Sequence, residues 1–181
     1  MSTIFDRHQF FRRNHYIQLL MIISSLVLIA VVNADEHNSQ PVIESYNISL
    51  DAAIKAAIAA VNQCHRQKYQ VAVTVVNKAG IVKVVLRNDL VPEIALSISY
   101  KKAITALSFA QPTSMLAQRK VSKVLAMEKN LLFASGGLPI EAAGTIVGAI
   151  GVSGAPGEEI DEQCAKSGTD IISDDLKFFN P

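Results

Sequence analysis

The sequence contains no Trp, only two Cys and four His among its 181 residues. It also lacks an excess of either charge: 17 Lys and Arg stand against 16 Asp and Glu, a formal net charge of +1. An electrostatic nucleic-acid binder needs a clear cationic surplus, so no nucleic-acid partner is expected. Charged residues make up 18% and hydrophobic ones 50%, which excludes a disordered chain. The absence of CxxC excludes a thioredoxin-type redox motif and a zinc ribbon. GxSxG, HExxH and the GK[ST] ending of a phosphate loop are also absent. The acidic residues gather at one predicted helix start rather than as a separated pair, so the sequence offers no catalytic mechanism.

The N-terminus reads as an address. Arg7, Arg12 and Arg13 precede Tyr16–Val32, a run of 17 residues without charge, and Val32-Asn33-Ala34 follows. That order is a secretory signal peptide over residues 1–34, cleaved after Ala34. The alternative is an uncleaved anchor, since 17 residues is at the lower limit (~17–25) for spanning a bilayer. Either way the remainder is expected outside the cytosol, periplasmic or secreted. Removing Arg7, Arg12, Arg13 and Asp6 leaves 14 Lys and Arg against 15 Asp and Glu, or −1. Residues 35–48 are polar, contain Pro41 and read as a flexible segment. Residues 49–181 suffice for one domain.

Cys64 and Cys164 lie 100 residues apart on two predicted helices. Outside the cytosol they can form a disulfide. The alternative is two buried thiols acting as small hydrophobes.

Ser49 is a candidate N-cap for an amphipathic helix over Leu50–Lys68, with Ile54, Ala57, Ile58, Val61 and His65 on its apolar side. Val71–Val76 and Ile81–Leu86 flank Asn77-Lys78-Ala79-Gly80 and read as a hairpin. Pro92 and Glu93 open a helix to Phe109, and Thr113 starts another to Val124. Leu131–Ala134, Leu138–Glu141 and Gly144–Ser153 read as strands. Pro156-Gly157 turns into a last helix whose start carries Glu158, Glu159, Asp161 and Glu162, residues suited to its dipole. The expected class is α+β: one antiparallel sheet of about five strands with helices packed on it.

Gly148, Gly151, Gly154 and Gly157 recur every third residue, too briefly for collagen and without dinucleotide-loop spacing. Glycine within a strand marks a bulge or a close backbone approach. Here the sequence resembles a known family. Gly136-Gly137-Leu138-Pro139-Ile140, then Val147–Gly154, then Asp161-Glu162 with Ala165 and Gly168, is similar to the GlcG/HbpS family of haem-associated proteins. Val75-Val76-Asn77 with Gly80, and Lys102-Ala103 with Thr105-Ala106, extend the resemblance over about Ser49–Ile172. Two positions depart from the pattern: Asn77 stands where Asp is usual, and Ala143-Gly144 where Gly-Gly is frequent.

The resemblance implies an α+β domain forming homo-oligomers, with haem as suspected cofactor and a role in haem or iron acquisition, storage or sensing. Two other readings stand beside it. One is a binding module or enzyme for a small organic acid, with haem incidental. The other is an interaction protein presenting its oligomer surface to a membrane sensor. Haem needs an apolar slot, an axial donor and partners for two propionates. His65 is the candidate axial ligand; His37 lies in the flexible segment, and Tyr46, Tyr69, Tyr100, Met115 and Met127 are alternative donors. The expected cleft for haem or a smaller anion comprises Arg87, Lys102, Gly136, Gly137 and Pro139, with backbone N–H groups of the Gly-Gly turn as anion donors.

Overall fold

A computed structural model of the chain describes residues 44–179. The leader over 1–34, its cleavage site and His37 lie outside the described residues. Among those residues no helix is long and apolar enough to cross a membrane.

Helix α1 (Leu50–Arg66) starts where the Ser49 side chain accepts the Ala52 N–H at 3.2 Å. Strands β1 (Ala72–Asn77) and β2 (Val82–Arg87) form the first hairpin. The Asn77 side chain organises its turn by accepting the N–H groups of Ala79 and Ile81 at 3.0 and 2.9 Å. Helix α2 (Ile94–Phe109) follows, then α3 (Thr113–Ala117) and α4 (Lys120–Leu125). Strands β3 (Gly137–Ala142) and β4 (Thr145–Ser153) make the second hairpin, and α5 (Glu158–Lys177) ends the fold.

The sheet is antiparallel in the order β2-β1-β4-β3. α1 and α5 cover one face and α2 the other. Val71, Val73, Val75, Ile150 and Val152 form the core with the alanines of α1, while Val76 and Ala149 pack on Ala103 and Ala106 of α2. The approach of α2 depends on glycine: a Cβ on Gly151 would lie 2.0 Å from the Ser99 carbonyl oxygen.

The α+β class stands, with four strands rather than about five. Leu131–Ala134 forms no strand; the Leu132 N–H instead donates to Thr105 Oγ1 of α2 at 2.8 Å. The helix expected over Thr113–Val124 is broken at Arg119, which is extended (φ −87°, ψ 148°). Ser122 Oγ donates to the carbonyls of Arg119 and Ala117 at 2.7 and 3.3 Å, a local competition with helical bonding. The end of the 35–48 segment is tied down: the Ile48 N–H donates to the Val147 carbonyl at 2.9 Å, and Tyr46 meets Phe179 edge-on at 4.9 Å.

Cys64 of α1 and Cys164 of α5 are fully buried and joined by a disulfide, with Cα atoms 5.6 Å apart. The bond staples the two helices on that face of the sheet.

Candidate functional site

Lys102 on α2 points past the sheet end into the first turn of α5. Its Nζ donates to Asp161 Oδ2 at 2.8 Å, and both side chains are buried. Asp161 Oδ1 accepts the Ala155 N–H at 3.1 Å. Burial pushes the Asp161 carboxyl up from its ordinary value, against the opposing pull of the Lys102 ammonium and the Ala155 N–H.

Gly136 makes the passage possible. Its φ is +115°, and a Cβ there would lie 2.8 Å from the Val152 carbonyl oxygen, 2.9 Å from Asp161 Cβ and 3.0 Å from Lys102 Nζ. A Cβ on Gly137 would lie 2.3 Å from the Lys102 carbonyl oxygen. The Gly-Gly pair therefore serves as a channel for the ion pair.

The donors of this turn are already engaged. The Ser135 N–H donates to Glu158 Oε2 at 3.0 Å, the Gly136 N–H to Glu162 Oε2 at 3.3 Å, and the Gly137 N–H to Thr113 Oγ1 at 2.9 Å. Ser114 Oγ donates to Glu162 Oε1 at 2.7 Å. The acidic start of α5 thus ties down the turn as well as favouring its own helix.

These contacts change the expected cleft. Lys102, Gly136 and Gly137 do come together, but their polar groups are spent on one another and on α5. Arg87 is not with them. It pairs across β1 and β4 through Ala72 and Ser153, leaving it three strand spacings, about 14 Å, from Gly136. Its guanidinium donates to the Val91 carbonyl at 3.0 Å. Pro139 sits on edge strand β3, where a missing N–H is tolerated, and lines a separate cavity of about 240 Å3 with Thr169, Ser173 and Lys177 of α5.

His65 is exposed rather than on the apolar side of its helix. The buried stripe of α1 is Ala53, Ala56, Ala57, Ala60 and Cys64, and one residue beyond Cys64 turns about 100° away from it. Small residues line that stripe because α5 packs closely there. Ile54 and Ile58, expected inward, are left partly exposed.

The exposed isoleucines belong to a groove between α1 and α5, with a volume of about 660 Å3. Ile54, Ile58, Ala59 and Asn62 come from α1, and Ser167, Asp170 and Ile171 from α5. Two cations, Lys55 and Arg66, also line it. Lys55 pairs with Asp175 at 3.2 Å and Arg66 with Gln63, both at exposed positions where bonds exchange readily with a ligand or water. His65 follows Ile58 by seven residues and so shares its side of α1, but it does not itself line the groove. The other candidate donors lie elsewhere: Tyr69 packs on the main core, Tyr100 beside Val76, and Met115 and Met127 are exposed. Among the described residues, no group of three or more His, Cys, Asp or Glu is placed to hold a metal ion.

Several of these groups were not singled out beforehand: Asp161 as the buried partner of Lys102, Thr113 and Glu162 as anchors of the Gly-Gly turn, and the Ile54–Ile171 groove. The available signal for the first was Lys102 itself, since a lysine within a helix that packs its small residues on a sheet needs an acid.

Comparison with known proteins agrees with this architecture. Crystal structures of HbpS match with a TM-score of 0.69. In one, a double mutant from Streptomyces reticuli, identity is 37% over 72% of this chain and 90% of that one. The ORFY protein of Klebsiella pneumoniae matches with a TM-score of 0.69 and 25% identity, over 74% of this chain and 96% of its own. A PduOC:haem complex shares the fold with a TM-score of 0.62 and 21% identity, over 68% and 94% of the two chains. No curated protein matches the chain. A family described as haem degrading protein HbpS-like matches residues 48–170, so the chain belongs to the GlcG/HbpS family.

Proposed function

We propose that the protein binds haem reversibly outside the cytosol, in the groove between α1 and α5, and serves haem or iron acquisition, storage or sensing. The groove is the observation that carries the reading. Ile54, Ile58 and Ile171 offer an apolar wall for a flat macrocycle, and Lys55 and Arg66 offer charge for its propionates. His65, on the same side of α1, supplies an imidazole for the iron. Haem would bring the redox and ligand-binding chemistry of its iron; the chain would bind and orient it. Membership of an HbpS-like family and the haem complex of a protein with this fold support the choice of ligand. Export rests on the leader at residues 1–34, and homo-oligomerisation belongs to the same proposal.

The Gly136-Gly137 turn is the weaker location, because its three N–H groups already have acceptors. The two sites separate cleanly. Lys55→Glu with Arg66→Glu is expected to weaken saturable haemin binding at least tenfold, while Glu162→Gln, at the acceptor of the Gly136 N–H, leaves it unchanged. The opposite pattern would move the ligand off the groove.

A further inference from the structure

The groove between α1 and α5 is bracketed by two ties of very different strength. At one end is the disulfide: Cys64 stands between the groove residues Asn62 and Arg66, and Cys164 stands one helical turn before Ser167. At the other end is the Lys55–Asp175 pair, whose side chains are both exposed and which therefore contributes little.

Between these ends the helices meet through small residues. Ala53, Ala56, Ala57 and Ala60 of α1 are buried. A Cβ on Gly168 of α5 would lie 2.6 Å from the Ala56 carbonyl oxygen and 3.3 Å from Ala60 Cβ. Alanine and glycine let the backbones approach, but they bury little side-chain surface to hold that spacing. The walls of the groove, Ile54 and Ile58 on α1 and Ile171 on α5, stand on opposite sides of this contact. Their separation follows the spacing of the two helices, and the bond that fixes this spacing covalently is Cys64–Cys164.

We propose that the Cys64–Cys164 disulfide is a redox control on ligand binding in this groove. The oxidised protein holds the walls at the spacing that grips a flat macrocycle; the reduced protein lets them part and releases it. The reductant is a dithiol, acting by thiol–disulfide exchange. Its two sulfurs become joined, the Cys64–Cys164 bond breaks, and the two protons pass to the separated cysteines. Both cysteines are fully buried, so a dithiol reaches them only when the helix pair opens. A ligand gripped by both helices keeps the pair closed and, by linkage, protects the bond that favours its own binding.

This inference rests on the haem reading of the groove, and the test separates the two. The probe is protoporphyrin IX, which has the macrocycle and both propionates of haem but no iron for a thiol to ligate. Its fluorescence is titrated with oxidised wild type and with Cys64→Ala, Cys164→Ala, at a temperature where circular dichroism shows both folded. The variant is expected to bind at least about tenfold more weakly. A folded variant that binds as tightly as wild type overturns the redox control and leaves the groove reading standing. An oxidised wild type that binds no porphyrin overturns both. Where the variant does not fold, wild type decides: thiols released by dithiothreitol are labelled over time and counted by intact mass. Saturating protoporphyrin IX should slow their appearance at least about fivefold, and Ile58→Asp should lose that protection. Equal rates with and without bound porphyrin overturn the control.

Discussion

Lys102 Nζ and Asp161 Oδ2 meet 2.8 Å apart inside the protein, one from the middle of α2 and the other from the first turn of α5. The contact joins the helix on one face of the sheet to a helix on the other, and it passes through space that only glycine at position 136 leaves open. Removing one partner strands the other charge in the interior. Lys102→Met alone leaves the buried Asp161 without its cation and is expected to destabilise the fold by about 3–5 kcal/mol, whereas Lys102→Met with Asp161→Leu lies near wild type. Chemical denaturation of the three proteins measures the difference. A double variant as unstable as Lys102→Met would mean that the pair does not act as a unit.

The same pair sets a pH dependence of definite sign. Burial raises the Asp161 carboxyl above its ordinary 3.8, so the folded state holds the proton more tightly than the unfolded state. This titration contributes stability that is fully present below 3.8 and is lost as pH rises through the folded value. Relative to the Lys102→Met, Asp161→Leu protein, wild type should lose stability as pH rises above 3.8. Urea midpoints of both proteins across that range check it, and a relative gain would contradict the assignment.

The disulfide closes a loop of 100 residues, for which chain entropy predicts a contribution of about 4–5 kcal/mol. Denatured, unreduced protein should take up no thiol label by intact mass, and reduced protein two. Cys64→Ser with Cys164→Ser should lower the denaturation midpoint strongly. Two labels without reduction would show free thiols.

Ala143 is an exposed residue at φ +47° in a two-residue hairpin turn, followed by Gly144 at +78°. Positive φ at both positions is a demand that Asn or Gly meets more easily than Ala. Ala143→Asn should stabilise the protein by about 0.5–1 kcal/mol, read as a raised melting temperature. A lower melting temperature would show that this turn does not hold the strained conformation.

Much of this structure was legible in the residues. The Ser49 cap, the Asn77–Gly80 turn and the β-branched run Val71–Val76 are local signals, and they place α1 and the first hairpin within a residue or two. Gly151 carried the right meaning, a close backbone approach, and the register shows α2 as the neighbour. The site was less legible because it depends on which face each helix buries. On α1 the alanines go inward and the isoleucines stay out, since α5 packs too closely for large side chains. A rule that assigns the largest apolar residues to the core turns that helix the wrong way and carries His65 with it. The Gly-Gly turn looked like an open anion site because the carboxylates that occupy it are more than twenty residues away in sequence.

The groove between α1 and α5 is the centre of this account, and haemin titration of the purified protein by visible absorbance tests it most directly. Wild type should show a saturable, one-to-one Soret change. Ile58→Asp, at a partly exposed position, should weaken it at least tenfold without unfolding the protein, and His65→Ala should alter the spectrum of the bound form. A featureless, non-saturating rise that is the same in wild type and Ile58→Asp would contradict haem binding in this groove.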